Sequence, residues 1–122
     1  MSGNSVVLDT NIVLYLLNGD QVLSELLNQK KLYLSFIFQL ELLGFKGITL
    51  KQQIEIGKFI QDCIVIDINE EIKKEVISLR RNTRLKLPDC IVIATARFLS
   101  LPLITSDADF KSTGFSEVII YE

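Results

Sequence analysis

Four acidic residues of this chain follow, precede or interrupt apolar runs, where an ionised carboxylate is out of place without a partner. Asp9 follows Val6-Val7-Leu8, and Asp107 follows Leu103-Ile104-Thr105 after one further residue. Glu41 lies inside Phe36-Ile37-Phe38-Gln39-Leu40-Glu41-Leu42-Leu43, and Asp89 precedes Cys90-Ile91-Val92-Ile93-Ala94. Burying a charge in such surroundings is costly unless something neutralises it. No lysine or arginine lies within four residues of Asp9, and Gln39 is the only nearby polar residue for Glu41. Were the four to converge, two carboxylates about 4 Å apart would repel by roughly 4 kcal/mol at an effective dielectric of 20, and several such pairs would exhaust an ordinary domain's stability. A divalent cation removes that repulsion directly. An oxygen-only ligand set selects a hard ion, Mg²⁺ or Mn²⁺ rather than Zn²⁺.

Histidine is absent from the sequence, which excludes histidine general bases, the usual serine and cysteine triads and imidazole zinc sites. Chemistry must run on carboxylates, hydroxyls or bound metal. The net charge of -2 and a pI near 5.2 create no global attraction for nucleic acid, so any such role needs a local patch. Arg80, Arg81, Arg84 and Lys86 gather just before Asp89. They read equally as a phosphate-contacting rim or as a helix C-terminus complementing its dipole. Cys63 and Cys90 sit in apolar runs without metal or redox spacing and are expected to be ordinary core thiols.

Taken singly, most of the acids also have a local explanation. Asp9 suits a helix N-cap, Asp89 a first helical turn, and Asp107 or Asp109 a turn. Glu41 has neither, because no cap or turn accounts for a glutamate in the middle of an apolar helix. Asp67, between an apolar run and the helix start at Asn69, is explained locally and is left out of the site.

The elements that must position these residues alternate throughout. Val6–Leu8, Leu32–Ser35, Ile64–Ile66, Leu103–Thr105 and Val118–Ile120 read as short strands, apolar in continuous runs as strands buried on both faces are. Helices are expected from about Ile12 to Leu17, over Gln21–Leu27 with Val22, Leu23, Leu26 and Leu27 on one stripe, and over Phe36–Leu43 before Gly44. Thr49-Leu50-Lys51-Gln52 has capping-box spacing and opens another helix to about Asp62; Asn69 caps a further one, and Pro88 suits the first turn of the last, running to about Leu99. Phe36, Phe38, Leu40 and Phe45 are expected to be core rather than a base-stacking platform. The pattern predicts an α/β fold, a parallel β-sheet with helices on both faces, whose functional groups collect at the carboxyl ends of the strands. At 122 residues and 48 % hydrophobic, residues 1–122 are expected to form one domain. No apolar run reaches the roughly 18 residues of a membrane span, and the N-terminus lacks a secretory signal, so a cytoplasmic location is expected.

Val7-Leu8-Asp9-Thr10-Asn11-Ile12, Glu41 in a leucine-rich helix ending in glycine, Leu87-Pro88-Asp89-Cys90-Ile91-Val92-Ile93-Ala94-Thr95-Ala96 and Leu103-Ile104-Thr105-Ser106-Asp107-Ala108-Asp109-Phe110 together resemble the PIN domain. Order, spacing and length are most similar to the VapC-type toxins of toxin-antitoxin pairs, from about Val6 to Ile120. The resemblance implies an acidic quartet, Asp9, Glu41, Asp89 and Asp107, in an RNA phosphodiesterase using Mg²⁺ or Mn²⁺, with Asp9, Asp89 and Asp107 as metal ligands. Thr105 and Asp109 match residues that support the site. It also implies a homodimer and a cognate antitoxin partner. The rival readings are a housekeeping PIN nuclease that processes RNA and a non-catalytic binding module such as a receiver domain. A receiver wants two adjacent acids after its first strand, where this chain has Asp9-Thr10-Asn11.

Overall fold

The computed structural model describes residues 4–121 and is an α/β structure, a five-stranded parallel sheet with helices on both faces. The strands are β1 (Ser5–Leu8), β2 (Lys31–Ser35), β3 (Ile64–Ile66), β4 (Leu103–Thr105) and β5 (Val118–Ile120), in the order β3-β2-β1-β4-β5. β1 is therefore central. Val6, Val7 and Leu8 are all buried, which is why this run shows no polar alternation.

Among the described residues six α-helices connect the strands: α1 (Thr10–Leu17), α2 (Gln21–Leu26), α3 (Phe36–Leu43), α4 (Leu50–Gln61), α5 (Glu70–Asn82) and α6 (Leu87–Leu99). The local sequence starts them where expected. The Asp20 side chain accepts from the Leu23 N–H, Thr49 and Gln52 form a reciprocal capping box, and Asn69 accepts from the Ile72 N–H. α6 has Pro88 in its first turn, and every residue from Cys90 to Ala96 is buried. It is thus a core helix, and its apolar run could not present a polar face.

Three expectations are corrected. Where Asp107 or Asp109 suits a turn by residue type, Ala108–Thr113 form a 3₁₀ helix capped by Asp107, whose side chain accepts from the Asp109 N–H. On α2, Leu23 and Leu27 are buried but Val22 and Leu26 are 68 % and 51 % exposed, because so short a helix presents only a narrow stripe to the sheet. Of the aromatic-rich segment at α3, Phe38 is buried and Phe36 packs against the core, whereas Leu40 and Phe45 are exposed. Cys90 is buried and Cys63 half-buried, both as free thiols. Among the described residues no helix is long and apolar enough to cross a membrane.

The topology decides where ligands can bind. From β1 the chain moves outward to β2 and β3, then returns through α5 and α6 to β4 on the other side of β1. The order reverses between β1 and β4, and such a switch point opens a crevice beyond the carboxyl ends of the two strands. Leu8 pairs with Ile104, so the residues just after them, Asp9 on one strand and Thr105 to Asp107 on the other, meet at that crevice.

Candidate active site

Asp9 is the first residue beyond β1 and is 95 % buried, leaving 5 % exposed. Both carboxylate oxygens are held. The Thr10 N–H donates to Oδ1 at 2.8 Å as Asp9 caps α1, and the buried Thr105 hydroxyl donates to Oδ2 at 2.5 Å. Thr105 also accepts from the Asp107 N–H at 3.0 Å, so one hydroxyl fixes the Asp9 carboxylate and the backbone that carries Asp107. Burial raises the Asp9 carboxyl above its ordinary range; its two hydrogen bonds oppose the shift, and the charges of Asp107 and Glu41 add to it.

Asp89 enters the same crevice from the first turn of α6 and is half-buried. Its carboxyl is pushed up to about 6, by burial first and then by Asp107, Asp9, Asp109 and Glu41 in turn. Asp9, Glu41, Asp89 and Asp107 line one cavity of about 250 Å³ together with Thr10. The structure thus brings the four acids named from sequence to one place.

Glu41 reaches it by a different route from the one expected. It is exposed rather than enclosed by the apolar residues around it in sequence. α3 packs Phe38 and Leu42, one turn apart, into the core, which rotates Glu41 outward. The Thr10 hydroxyl donates to Glu41 Oε1 at 2.9 Å, a link across α1 and α3 that sequence reasoning missed. Its one sequence signal was a hydroxyl directly after the strand-end aspartate.

The tightest grouping differs from the expected ligand set. Asp89, Asp107 and Asp109 each offer a carboxylate oxygen, all within 4.8 Å of one another, and this trio includes Asp109 in place of Asp9. Among the described residues no lysine or arginine forms an ion pair with Asp9, Glu41, Asp89 or Asp107. A set of hard oxygen donors that repel one another fits Mg²⁺ or Mn²⁺. The 3₁₀ helix supplies the geometry, since the turn that lets Asp107 cap it also sets Asp109 two residues further on.

The basic quartet divides. Arg80 donates from Nη1 to the Leu85 carbonyl at 3.3 Å and closes the α5–α6 loop, while Arg80 and Arg81 both lie in the last turn of α5. Arg84 and Lys86 line a different cavity, which reaches Asp109.

Thr105→Val keeps the shape of the side chain but removes the shared hydroxyl. It leaves the Asp107 N–H without its acceptor and Asp9 Oδ2 without its donor, so unfolding in EDTA should cost about 1–3 kcal/mol less. Urea titrations should show a lower midpoint at unchanged slope, and Thr105→Ser should recover most of the loss. A valine variant as stable as the parent would show that the hydroxyl does not hold the site together.

The PIN domain profile matches residues 6–116 of the chain. Among solved structures, a toxin-antitoxin complex from Klebsiella pneumoniae contains a chain with 30 % identity and a TM-score of 0.82, the match covering 96 % of this chain and 98 % of that one. VapBC2 from Rickettsia felis, solved with a DNA fragment from its promoter, matches in fold at 18 % identity and a TM-score of 0.78 over 96 % and 97 % of the two chains. FitAcB from Neisseria gonorrhoeae does so at 20 % identity and 0.72, over 96 % of each chain. No curated protein matches in sequence.

Proposed function

The chain belongs to the PIN domain family, and from that premise we propose that it is a Mg²⁺- or Mn²⁺-dependent endoribonuclease acting as the toxin of a toxin-antitoxin pair. The observation that carries this reading is the convergence of Asp9, Glu41, Asp89 and Asp107 on one crevice at the switch point of the sheet. Asp89, Asp107 and Asp109 would hold the ion, with Asp9 beside them locked by Thr10 and Thr105. When bound, the metal lowers the pKa of water and neutralises charge on a phosphodiester. Glu41 stands on the exposed side of the crevice with Oε1 engaged by Thr10, which leaves Oε2 to take the proton of the attacking water. In-line attack by water on this reading leaves a 5′-phosphate and a 3′-hydroxyl.

The partners follow from the same reading. Leu40, Leu43, Phe45, Leu50 and Ile54 on α3, α4 and their connection are all exposed, and apolar side chains exposed on adjoining elements suit a protein–protein contact. A second copy of the chain and an antitoxin are the partners proposed to cover such surface.

Cleavage of a labelled single-stranded RNA by the purified chain, freed of any partner, tests the function. Mg²⁺ or Mn²⁺ should support cleavage with 5′-phosphate ends and EDTA should abolish it. Undiminished cleavage in EDTA by a preparation whose Asp107→Asn variant is inactive would overturn the metal mechanism. No cleavage in either metal would overturn the ribonuclease reading.

A further inference from the structure

A second cavity, of about 450 Å³, lies between the α5–α6 loop and the 3₁₀ helix, within the size range of small-molecule sites. Arg84, Lys86, Thr113, Phe115 and Asp109 are on its wall. Asp109 is also one of the three clustered carboxylates, so the cavity adjoins the acidic crevice. We propose that this cavity is the subsite for a nucleotide of single-stranded RNA next to the phosphate to be cut, with Arg84 and Lys86 binding backbone phosphate and Phe115 meeting the base. The proposal deepens the ribonuclease reading and rests on it.

Charge and shape both support it. The chain is acidic overall, yet Arg84 and Lys86 are exposed and, among the described residues, neither is engaged in an ion pair. Cations without carboxylate partners on the rim of a cavity suit an anionic strand. The loop that carries them is built to hold still. The Thr83 hydroxyl donates to the Leu79 carbonyl at 2.7 Å and accepts from the Leu85 N–H, and Arg80 ties the same loop through the Leu85 carbonyl.

The aromatic wall is fixed as firmly. Arg97 of α6 places its guanidinium 4.2 Å from the Phe115 ring centroid and is itself held by Glu117 and Glu75, each at 2.6 Å. Arg97 does not line the cavity, so this support comes from outside it. On the other side Thr113 accepts from the Phe115 N–H and donates to the Phe110 carbonyl. An immobilised ring beside unpaired cations is the combination that single-stranded nucleic acid uses, stacking for the base and charge for the backbone.

Anisotropy titrations of a short fluorescent single-stranded RNA, in EDTA so that nothing is cut, test the subsite. The Arg84→Ala/Lys86→Ala protein should bind about tenfold more weakly, and the slope of log K against log salt should shrink by about 1.4, or 0.7 for each lost phosphate contact. Phe115→Leu should weaken binding at least about fivefold at unchanged slope, the lower end of what one stacked base contributes. Arg81→Ala, on α5 and not on the cavity wall, should leave both quantities alone. Parent-like affinity and slope in the double variant, an equal loss in Arg81→Ala, or no binding by the parent chain would each overturn the proposal. Intact RNA binding with lost antitoxin binding in the double variant would also overturn it, giving the cavity to a protein partner. Metal-dependent cleavage with RNA binding insensitive to Arg84 and Lys86 removes the subsite alone. Cavity-dependent RNA binding without cleavage in either metal removes the ribonuclease reading, and with it the phosphate to be cut, and leaves the cavity as a site for single-stranded RNA.

Discussion

Asp89→Asn should cleave RNA at least about a hundredfold more slowly than the parent in saturating Mn²⁺, the loss expected when several kcal/mol of metal-borne transition-state stabilisation goes. Its metal-free form should nevertheless melt higher. In the parent, Asp89 is half-buried and faces Asp107, Asp9, Asp109 and Glu41, which is why its carboxyl is pushed up to about 6. At neutral pH the fold holds it ionised against burial and repulsion. An amide of the same shape relieves both, by about 1 kcal/mol once solvent screening at the crevice is allowed for, or about 4 °C in Tm. The lost favourable placement of a carboxylate in the first turn of α6 costs roughly 0.3 to 1 kcal/mol, so the net rise in Tm is at most about 3 °C. A cap or first-turn residue with no metal to hold would reverse both signs, with activity kept and stability slightly lower. Melting curves in EDTA and initial cleavage rates in Mn²⁺ decide between the two. Full activity together with a full metal-induced rise in Tm would remove Asp89 from the ligand set.

Adding Mn²⁺ to the parent should raise Tm by about 10 °C at a hundredfold excess over Kd, since binding to the native state alone contributes about 2.7 kcal/mol there. The size of the rise should depend on pH in a defined direction. Asp9 and Asp89 both have raised pKa in the fold, so between the unfolded value of 3.8 and the folded value, about 6 for Asp89, the native state carries more protons than the unfolded chain. Metal-free stability from these groups therefore falls as pH rises through that window. Metal binds the ionised carboxylates, so its contribution grows over the same window and levels off above about 6. Scanning calorimetry in EDTA and in Mn²⁺ should show the two curves separating as pH rises, and Asp89→Asn should flatten both. A metal increment equal at pH values on either side of 6 would mean that the ion binds elsewhere.

Much of the fold could be read from the chain because its strands are short, apolar and separated by capping signals. The Thr49–Gln52 box, Asn69 and Pro88 start their helices where the residue types require. The acids at strand ends were legible for a related reason. A central parallel strand is buried on both faces, so a carboxylate directly after it must either find hydrogen bonds, as Asp9 does from Thr10 and Thr105, or face a ligand. Helix facing was less legible. Nothing in the apolar run of α3 says that Phe38 and Leu42 are the residues packed inward, and so nothing there says that Glu41 is exposed. Similarly, four basic residues in one segment look alike until the α5–α6 loop folds, with Arg80 tied to Leu85 and Arg84 and Lys86 left on a cavity wall.

Residue type and spacing alone therefore determined the class of fold, the strand-end positions of Asp9 and Asp107, the absence of histidine chemistry and the all-oxygen character of the candidate ligands. Those are consequences of burial and donor chemistry, which act on each residue where it stands. Only the tertiary structure decided which acids are neighbours. Asp89 and Asp107 are distant along the chain and come together because β4 inserts beside β1 and α6 begins at the same edge. Asp109 joins them because the segment after Asp107 winds into a 3₁₀ helix. Distance between charges is set by the packing of whole elements, and repulsion that falls with distance cannot be read from a sequence in which those distances are not yet defined.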